Sequence, residues 1–177
     1  RYSKSDYIAF IDSDDIWYNN KLLTQLDFMI KNNLEFTYTN YLPFKEKNLL
    51  TKKRNYMKKV EPQKKISFNQ FVKNTSIGTS TMMIKSSLIK YTKFTNTKVC
   101  EDYYFKCKIL KKVENAQCYS ETLTKYRIRS DSLQSNKFKN LYWIWYINKN
   151  YNKFNFFYNA LSIFCISVNS IKKYGFK

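Results

Sequence analysis

Three carboxylates follow a short apolar run near the start of this 177-residue chain: Asp12, Asp14 and Asp15, directly after Tyr-Ile-Ala-Phe-Ile at positions 7–11. Four to six apolar residues that end at turn-forming residues are typical of a buried strand. The pattern therefore predicts a strand over residues 7–11 that delivers the acids to the edge of a sheet. Carboxylates placed there can hold a hard divalent cation, and such a cation can hold a diphosphate.

A purely structural role for the same acids stays open. Asp and Ser form turns and cap helices, and the helical pattern that follows needs a cap, which Asp15 or Asn19 could supply. A calcium-binding loop fits less well. Counted from the first acid, the sixth position is Trp17 rather than Gly and the twelfth is Leu23 rather than Glu.

The segment from Tyr7 to Lys21 resembles the metal-binding segment of family 2 glycosyltransferases, an apolar strand ending in Asp-Ser-Asp-Asp before an aromatic residue and a Lys-Leu pair. Three further blocks of this chain resemble later segments of that family and occur in the same order. They are Ile-Gly-Thr-Ser-Thr-Met-Met-Ile at 77–84, Cys-Glu-Asp-Tyr-Tyr-Phe at 100–105 and Tyr-Arg-Ile-Arg-Ser-Asp-Ser-Leu-Gln-Ser-Asn at 126–136. Together the four blocks span roughly residues 5 to 140.

The resemblance implies an α/β fold of the GT-A type, the fold of nucleotide-diphospho-sugar transferases, with a mixed central sheet flanked by helices. It implies that residues 1–140 are the C-terminal portion of a GT-A catalytic domain, followed by a helical tail over residues 141–177. Only eleven residues precede Asp12, so the first strands of the nucleotide-binding half are expected to lie outside this sequence.

The resemblance also implies roles for the acids. Asp12 and Asp14, with Asp15 beside them, would hold Mg²⁺ or Mn²⁺ against the diphosphate of a nucleotide-diphosphate sugar. Asp102 would be the general base that deprotonates the acceptor hydroxyl, and Glu101 would help to orient Asp102. Transfer would then invert the anomeric carbon. A capping role for the pair Glu101 and Asp102 stays open, because both fall in the first turn of a helix predicted over residues 101–113.

Five further residues are candidates for ligand contacts. Arg127 and Arg129 could bind diphosphate oxygens, because a planar guanidinium suits phosphate. Thr79 and Ser80 would border the acceptor, and Trp17 either stacks on a sugar or packs in the core. The family often has His at the position of Arg129. This chain contains no His, which excludes an imidazole ligand to the metal.

The formal charge of +19, from 32 Lys and Arg against 13 Asp and Glu, raises the alternative of a basic module that binds nucleic acid or anionic lipid. The basic residues are scattered, and no nucleic-acid-binding motif is present. We therefore expect no nucleic-acid partner. The expected partners are the sugar donor and a glycan or lipid-linked acceptor of a cell-surface polysaccharide. An inactive truncated fragment is the remaining alternative.

The four cysteines have no Cys-x-x-Cys spacing, which predicts reduced thiols in a cytoplasmic protein. The tail is aromatic and basic, and residues 154–168 are mostly apolar. That stretch is shorter than the roughly twenty residues needed to cross a bilayer. Two interpretations stay open: a helix lying in the membrane surface, which would place the protein at the inner face of the cell membrane, or packing back on the domain.

Local patterns predict the remaining elements. A helix is expected over residues 19–32, with Leu22, Leu23, Leu26, Met29 and Ile30 on one face. Further predictions are a strand over 35–41, an exposed mobile excursion over 43–63, a short helix over 67–73 capped by Ser67, a strand over 78–84, and a strand pair or bent strand over 118–129.

Overall fold

Seven strands form one mixed sheet in the computed structural model, which describes residues 4–48, 53–94, 97, 99–129 and 136–174. The strands are β1 (Tyr7–Ala9), β2 (Ile16–Trp17), β3 (Phe36–Asn48), β4 (Lys53–Tyr56), β5 (Lys65–Ile66), β6 (Met83–Lys85) and β7 (Ala116–Arg127). The helices are α1 (Lys21–Lys31), α2 (Phe68–Asn74), α3 (Ser86–Ile89), α4 (Glu101–Leu110), α5 (Lys137–Asn150) and α6 (Phe156–Tyr174), and a 3₁₀ turn spans Thr79–Thr81.

The centre of the sheet is the long parallel pair of β3 and β7, which runs from Thr37 opposite Gln117 to Phe44 opposite Arg127 and shifts its register on both sides of Asn40. The sheet order is β1-β6-β3-β7-β2, with β4 added to β3 and β5 added to β7. All pairs other than β3 with β7 are antiparallel. The predicted mixed sheet flanked by helices is therefore confirmed.

The strand before the acids is shorter and less buried than predicted. β1 covers Tyr7–Ala9 rather than residues 7–11, its three residues are half-buried, and Ile11 is 49% exposed. Among the described strands β1 pairs only with β6. A strand with one neighbour is covered less completely than a central strand, which explains the difference.

The prediction of an exposed, mobile excursion over residues 43–63 is wrong for residues 43–48 and 53–56, which form strands. Residues 55, 56, 58, 59, 61 and 63 are exposed as predicted, and residues 49–52 lie outside the described part of the chain. β3 continues to Asn48 and pairs with β4 in a hairpin, and Pro43 and Phe44 are both buried. Val60 exchanges two backbone hydrogen bonds with Tyr41. Three of the lysines that suggested a loop, Lys45, Lys47 and Lys53, lie on a strand pair in which Glu46 faces Arg54, so charge on this strand pair was mistaken for a loop.

The apolar face predicted for the first helix is only partly buried. α1 buries Lys21, Gln25 and Met29, whereas Leu22 and Leu23 are 50% and 67% exposed. The side-chain amide of Gln25 donates to Thr37 Oγ1 and to the carbonyl of Thr81, both at 3.0 Å. These hydrogen bonds attach α1 to β3, and they determine which face of α1 is buried more strongly than Leu22 and Leu23 do. The helix N-cap is Asn20, and its side chain makes no capping bond.

Other boundaries are refined rather than overturned. The predicted strand over 78–84 divides into the 3₁₀ turn and β6, and of the two alternatives for residues 118–129 the single strand is confirmed, as β7, which ends at Arg127. α4 ends at Leu110, three residues earlier than predicted. The cap of α2 is confirmed: Ser67 and Gln70 form a reciprocal capping box.

The tail helices pack on the domain. Ile144 and Ile147 of α5 and Ile166 of α6 belong to the main hydrophobic cluster, together with residues of α2 and α4. The hydroxyl of Tyr103 on α4 donates to Asn148 Oδ1 on α5 at 2.8 Å. Within the described residues, no helix combines the length and the hydropathy that crossing a bilayer requires.

Candidate active site

The acid turn, residues 12–15, follows β1 and is closed by a hydrogen bond from the amide of Asp15 to the carbonyl of Asp12, at 3.0 Å. Its side chains have different environments. Asp12 is exposed and Asp14 is half-buried, whereas Asp15 is only 8% exposed. The outer two carboxylates are therefore accessible to a ligand, and the third is part of the scaffold.

Arg127, at the end of β7, fixes the acid turn from the other side. Its amide donates to Asp15 Oδ1 at 2.8 Å, and its Nε donates to the carbonyl of Asp14 at 2.8 Å. Its Nη1 forms an ion pair with Glu46 Oε2 at 2.6 Å. The guanidinium that was expected to bind diphosphate thus already spans Asp14 and Glu46.

The second acidic group lies in the first turn of α4, as predicted, where Glu101 is exposed and Asp102 is half-buried. Asp102 Oδ2 accepts from Lys106 Nζ at 2.9 Å and from Thr79 Oγ1 at 3.1 Å. Lys106 is buried and also donates to the carbonyl of Ile77 at 2.9 Å. Helix α4 therefore carries both the carboxylate and its countercharge, one turn apart.

The 3₁₀ turn joins the two acidic groups through consecutive residues. Ser80 Oγ accepts from the amide of Asp12 at 2.9 Å, and Thr79 Oγ1 donates to Asp102 Oδ2. The carbonyl of Ser80 accepts from Trp17 Nε1 at 2.7 Å. The structure therefore brings the acid turn, Thr79, Ser80, Trp17 and Asp102 to one place, although they are scattered over ninety residues of sequence.

The acid turn and Asp102 interact electrostatically. Burial raises the pKa of Asp12, the charge of Lys106 opposes this rise, and the charges of Asp102 and Asp14 add to it. Burial also tends to raise the pKa of Asp102, but the charge and hydrogen bond of Lys106, helped by Thr79, hold that pKa below its ordinary value. Asp102 is therefore ionised at neutral pH.

Asp15 responds differently because its carboxylate is enclosed. Burial raises the pKa of Asp15 to about 6. Its Oδ2 is buried and has no hydrogen-bond partner. Buried acceptors are rarely left without a donor, so this oxygen is an atom that a cation or a ligand donor could satisfy.

The acid turn fits a cation that is shared with a ligand better than one held by protein alone. Within the described residues, no three side chains of the His, Cys, Asp and Glu types lie together closely enough to hold a metal. Mg²⁺ commonly uses one or two carboxylates and completes its shell with substrate phosphates and water. The accessible carboxylates of Asp12 and Asp14 match that requirement.

Sequence reasoning missed three residues of this site: Lys106, Glu46 and Lys21. The i, i+4 spacing of Asp102 and Lys106 on a predicted helix is a signal that could have found the first. Glu46 lies in the segment that was mistaken for a loop. Lys21 is fully buried, and its Nζ lies 4.8 Å from the centre of the Trp17 ring. Arg129 lies beyond the end of β7 and is exposed.

Comparisons with known sequences point to one family. A sequence profile described as Glycosyl transferase family 2 matches residues 1–92. Over 80% of this chain and 53% of the relative's length, the chain is 38% identical to Escherichia coli WfgD, a UDP-Glc:alpha-D-GlcNAc-diphosphoundecaprenol beta-1,3-glucosyltransferase. It is 28% identical to TuaG of Bacillus subtilis, a putative teichuronic acid biosynthesis glycosyltransferase, over 94% of this chain and 64% of TuaG. The chain thus spans about half to two thirds of these relatives.

A solved structure shares the fold. The crystal structure of residues 1–349 of Staphylococcus aureus TarS in complex with UDP-GlcNAc superposes with a TM-score of 0.58 at 14% identity. The match covers 99% of this chain and 50% of the TarS chain. The fold is that of the GT-A glycosyltransferases, as predicted.

Proposed function

Because this chain belongs to glycosyl transferase family 2, we propose that the protein transfers a sugar from a nucleotide-diphosphate sugar to an acceptor hydroxyl during the synthesis of a cell-surface polysaccharide. The observation that supports this most is the 3₁₀ turn, since Ser80 holds the acid turn while Thr79 holds Asp102. Sugar transfer needs a group that binds the leaving diphosphate close to a group that accepts the proton of the acceptor hydroxyl. One dipeptide here supports both.

Asp12 and Asp14 are the residues that would hold Mg²⁺ or Mn²⁺ at the acid turn. When bound, such a cation offsets the negative charge that develops on the leaving diphosphate. The protein's contribution is to keep the turn rigid. Arg127 does so by binding the carbonyl of Asp14 and the carboxylate of Asp15 through separate nitrogen atoms. In this proposal Arg127 acts on the donor through the turn, and the exposed Arg129 contacts the diphosphate directly.

Asp102 is the proposed general base. Lys106 and Thr79 both donate to Oδ2, so Oδ1 is the oxygen that would accept the proton of the attacking hydroxyl. The two donors fix the plane of the carboxylate and keep it ionised before the acceptor arrives. Attack on the face opposite the leaving diphosphate inverts the anomeric carbon. Glu101, exposed beside Asp102, would help to orient that base.

The names of the relatives support a proposal for the donor and acceptor classes. WfgD is named for UDP-glucose and a diphosphoundecaprenol acceptor, and TuaG for teichuronic acid biosynthesis. We propose a nucleotide-diphosphate sugar as the donor and a glycan or lipid-linked acceptor, with Thr79 and Trp17 beside the acceptor. Transfer to a lipid-linked acceptor would place the protein at the inner face of the cell membrane.

The test compares Asp102→Asn with Asp14→Ala. Asp102→Asn should lower kcat by about 10²–10⁴-fold with donor affinity nearly unchanged, because a base acts only on the reacting hydroxyl. Asp14→Ala should instead weaken the Mn²⁺-dependent binding of the sugar donor, measured by titration calorimetry. Asp27→Asn, an exposed acid on α1, is the matched control. Full turnover of Asp102→Asn would remove this residue from the mechanism.

A further inference from the structure

Helix α6 buries polar side chains beside Ile166 on the face that contacts the protein. Ser162 is fully buried and Asn159 is 1% exposed. Ser162 Oγ donates to the carbonyl of Val72 at 2.5 Å, and Asn159 Nδ2 donates to the carbonyl of Trp145 at 3.0 Å. Asn169 further along the helix donates to the carbonyl of Lys73. Polar contacts thus attach α6 to α2 and α5.

The opposite face of α6 is apolar and open. Phe157, Leu161, Phe164 and Ile171 are 84%, 46%, 66% and 36% exposed. Their spacing of i, i+4, i+7 and i+14 places them in one line along the helix. An amphipathic helix in a soluble domain normally turns such a line toward the core. Here the sequence leaves the α6 apolar line uncovered.

Helix α5 carries a second line of exposed rings, formed by Phe138, Tyr142 and Tyr146 at i, i+4 and i+8, which are 87%, 62% and 38% exposed. The two helices meet where the ring of Trp145 contacts that of Phe156, with centroids 5.5 Å apart. A shallow cavity of about 130 Å³ at this junction is lined mainly by aromatic rings and Lys149. None of the proposed catalytic residues lines it.

Charge in this region has a single sign. No Asp or Glu occurs from residue 132 to residue 177. Five lysines of the two helices and the turn between them are exposed. They are Lys137, Lys139, Lys149, Lys153 and Lys172. A second copy of this chain would bring another strongly positive surface against them, and like charges would repel. A surface that would complement these exposed apolar side chains and lysines has an apolar interior beneath an anionic outer layer.

We propose that the α5–α6 surface, defined by the exposed aromatic and aliphatic side chains of these helices and the five lysines, docks on an anionic phospholipid bilayer. Phenylalanine and leucine side chains would enter the boundary between headgroups and acyl chains, tyrosine rings would lie at the headgroups, and lysines would meet the lipid phosphates. Helix α6 would lie in the plane of the membrane, held to the domain by its polar face. This inference does not depend on the proposed sugar transfer.

The experiment is vesicle flotation of the full chain. The vesicles contain either phosphatidylcholine alone or phosphatidylcholine with about 30% phosphatidylglycerol, at about 0.1 M and about 0.5 M salt. We expect binding to the anionic vesicles that weakens at high salt. Phe157→Ser combined with Phe164→Ser should reduce the bound fraction by about tenfold or more, since both side chains lose their apolar transfer free energy.

Leu23→Ser is the matched control, because Leu23 is 67% exposed on α1 and lies outside the α5–α6 surface. It should leave flotation unchanged. Thermal unfolding of each variant checks that folding is intact. Absence of flotation with anionic vesicles, or flotation that the double substitution leaves unaltered, would overturn the proposal. So would a concentration-dependent dimer that the double substitution abolishes, since a second copy would then be the occupant. Flotation tests docking on the bilayer and donor binding tests sugar transfer, so a negative result in one experiment does not contradict the other proposal.

Discussion

Lys106 Nζ lies 2.9 Å from Asp102 Oδ2, one turn further along α4, and the lysine side chain is only 5% exposed. A buried ammonium beside the proposed base does two things. It keeps Asp102 ionised although burial disfavours the charge, and it occupies one of the two carboxylate oxygens. In the proposed mechanism, Lys106 is therefore a positioning residue for Asp102.

Replacing Lys106 by Met should shift the acidic limb of the pH dependence of kcat/KM to higher pH. Lys106 holds the pKa of Asp102 down, so its loss lets burial raise that pKa, and a larger fraction of the base is protonated at a given pH. We also expect a loss of roughly 1–3 kcal/mol in unfolding free energy, because a partly buried carboxylate loses its countercharge.

The control for this substitution is Lys108→Met, on the same helix but directed at the carbonyl of Lys93. It should leave the acidic limb in place. A limb that is unchanged in Lys106→Met would show that the lysine serves only stability.

Thr79→Val should lower kcat by about tenfold while the donor KM stays similar, because the hydroxyl donates to Asp102 and not to the acid turn. The acidic limb should again move to higher pH, since the hydrogen bond from Thr79 helps to lower the pKa of Asp102. Thr81→Val is the matched substitution, because the Thr81 hydroxyl donates to the carbonyl of Gly78 at 2.7 Å. Identical kinetics for the two variants would refute a role for Thr79 in holding the base.

Arg127→Lys should weaken the metal-dependent binding of the sugar donor by about tenfold. A lysine cannot span the carbonyl of Asp14 and the carboxylate of Glu46 as the guanidinium does. Unfolding free energy should fall by about 1–2 kcal/mol. Glu46→Gln, which keeps an acceptor on β3, should have a smaller effect in the same titration. Donor affinity equal to that of the wild type would mean that the acid turn is rigid without Arg127.

The free energy of unfolding of Lys21→Met should fall relative to that of the wild type as pH rises. Burial lowers the pKa of Lys21 to about 8, below its ordinary value of 10.5. The folded state therefore disfavours the proton, and this penalty diminishes as pH rises from about 8 toward the unfolded value. The wild type regains at most about 3 kcal/mol relative to the variant over that range. Denaturant unfolding from pH 6 to pH 9.5 measures the change.

The comparison cancels the titration of the buried thiols, which both proteins share. Lys31→Met, an exposed lysine on the same helix, serves as control and should show a pH-independent difference. A constant difference for Lys21→Met as well would mean that Lys21 is solvated.

The sequence predicted the elements that local chemistry determines. Ser67 caps α2 because its side chain and that of Gln70 satisfy each other's backbone amides within one turn. Glu101 and Asp102 begin α4 because acids are favoured in a first turn. The mixed sheet was predicted because four blocks of this chain, in the same order, resemble segments of a family whose fold is known.

What could not be predicted depends on contacts between distant residues. Leucines at 22 and 23 suggested the buried face of α1, yet Gln25 finds partners on β3 and the 3₁₀ turn that no local pattern reveals. Lys106 looked like one more surface lysine in a chain with a charge of +19. Its burial follows from the carbonyl of Ile77 and the carboxylate of Asp102, which are brought together only by the fold.

The parallel pairing of β3 with β7 also constrains how the protein forms. That central pair joins residues 37–44 to residues 117–127, and the paired residues are at least eighty positions apart along the chain. During synthesis β3 leaves the ribosome before α2, α3 and α4, and it must wait for all of them without its principal neighbour. Such distant pairing is slow, and an uncovered strand invites association with other chains. The nascent protein is therefore most dependent on chaperones in the interval before β7 emerges.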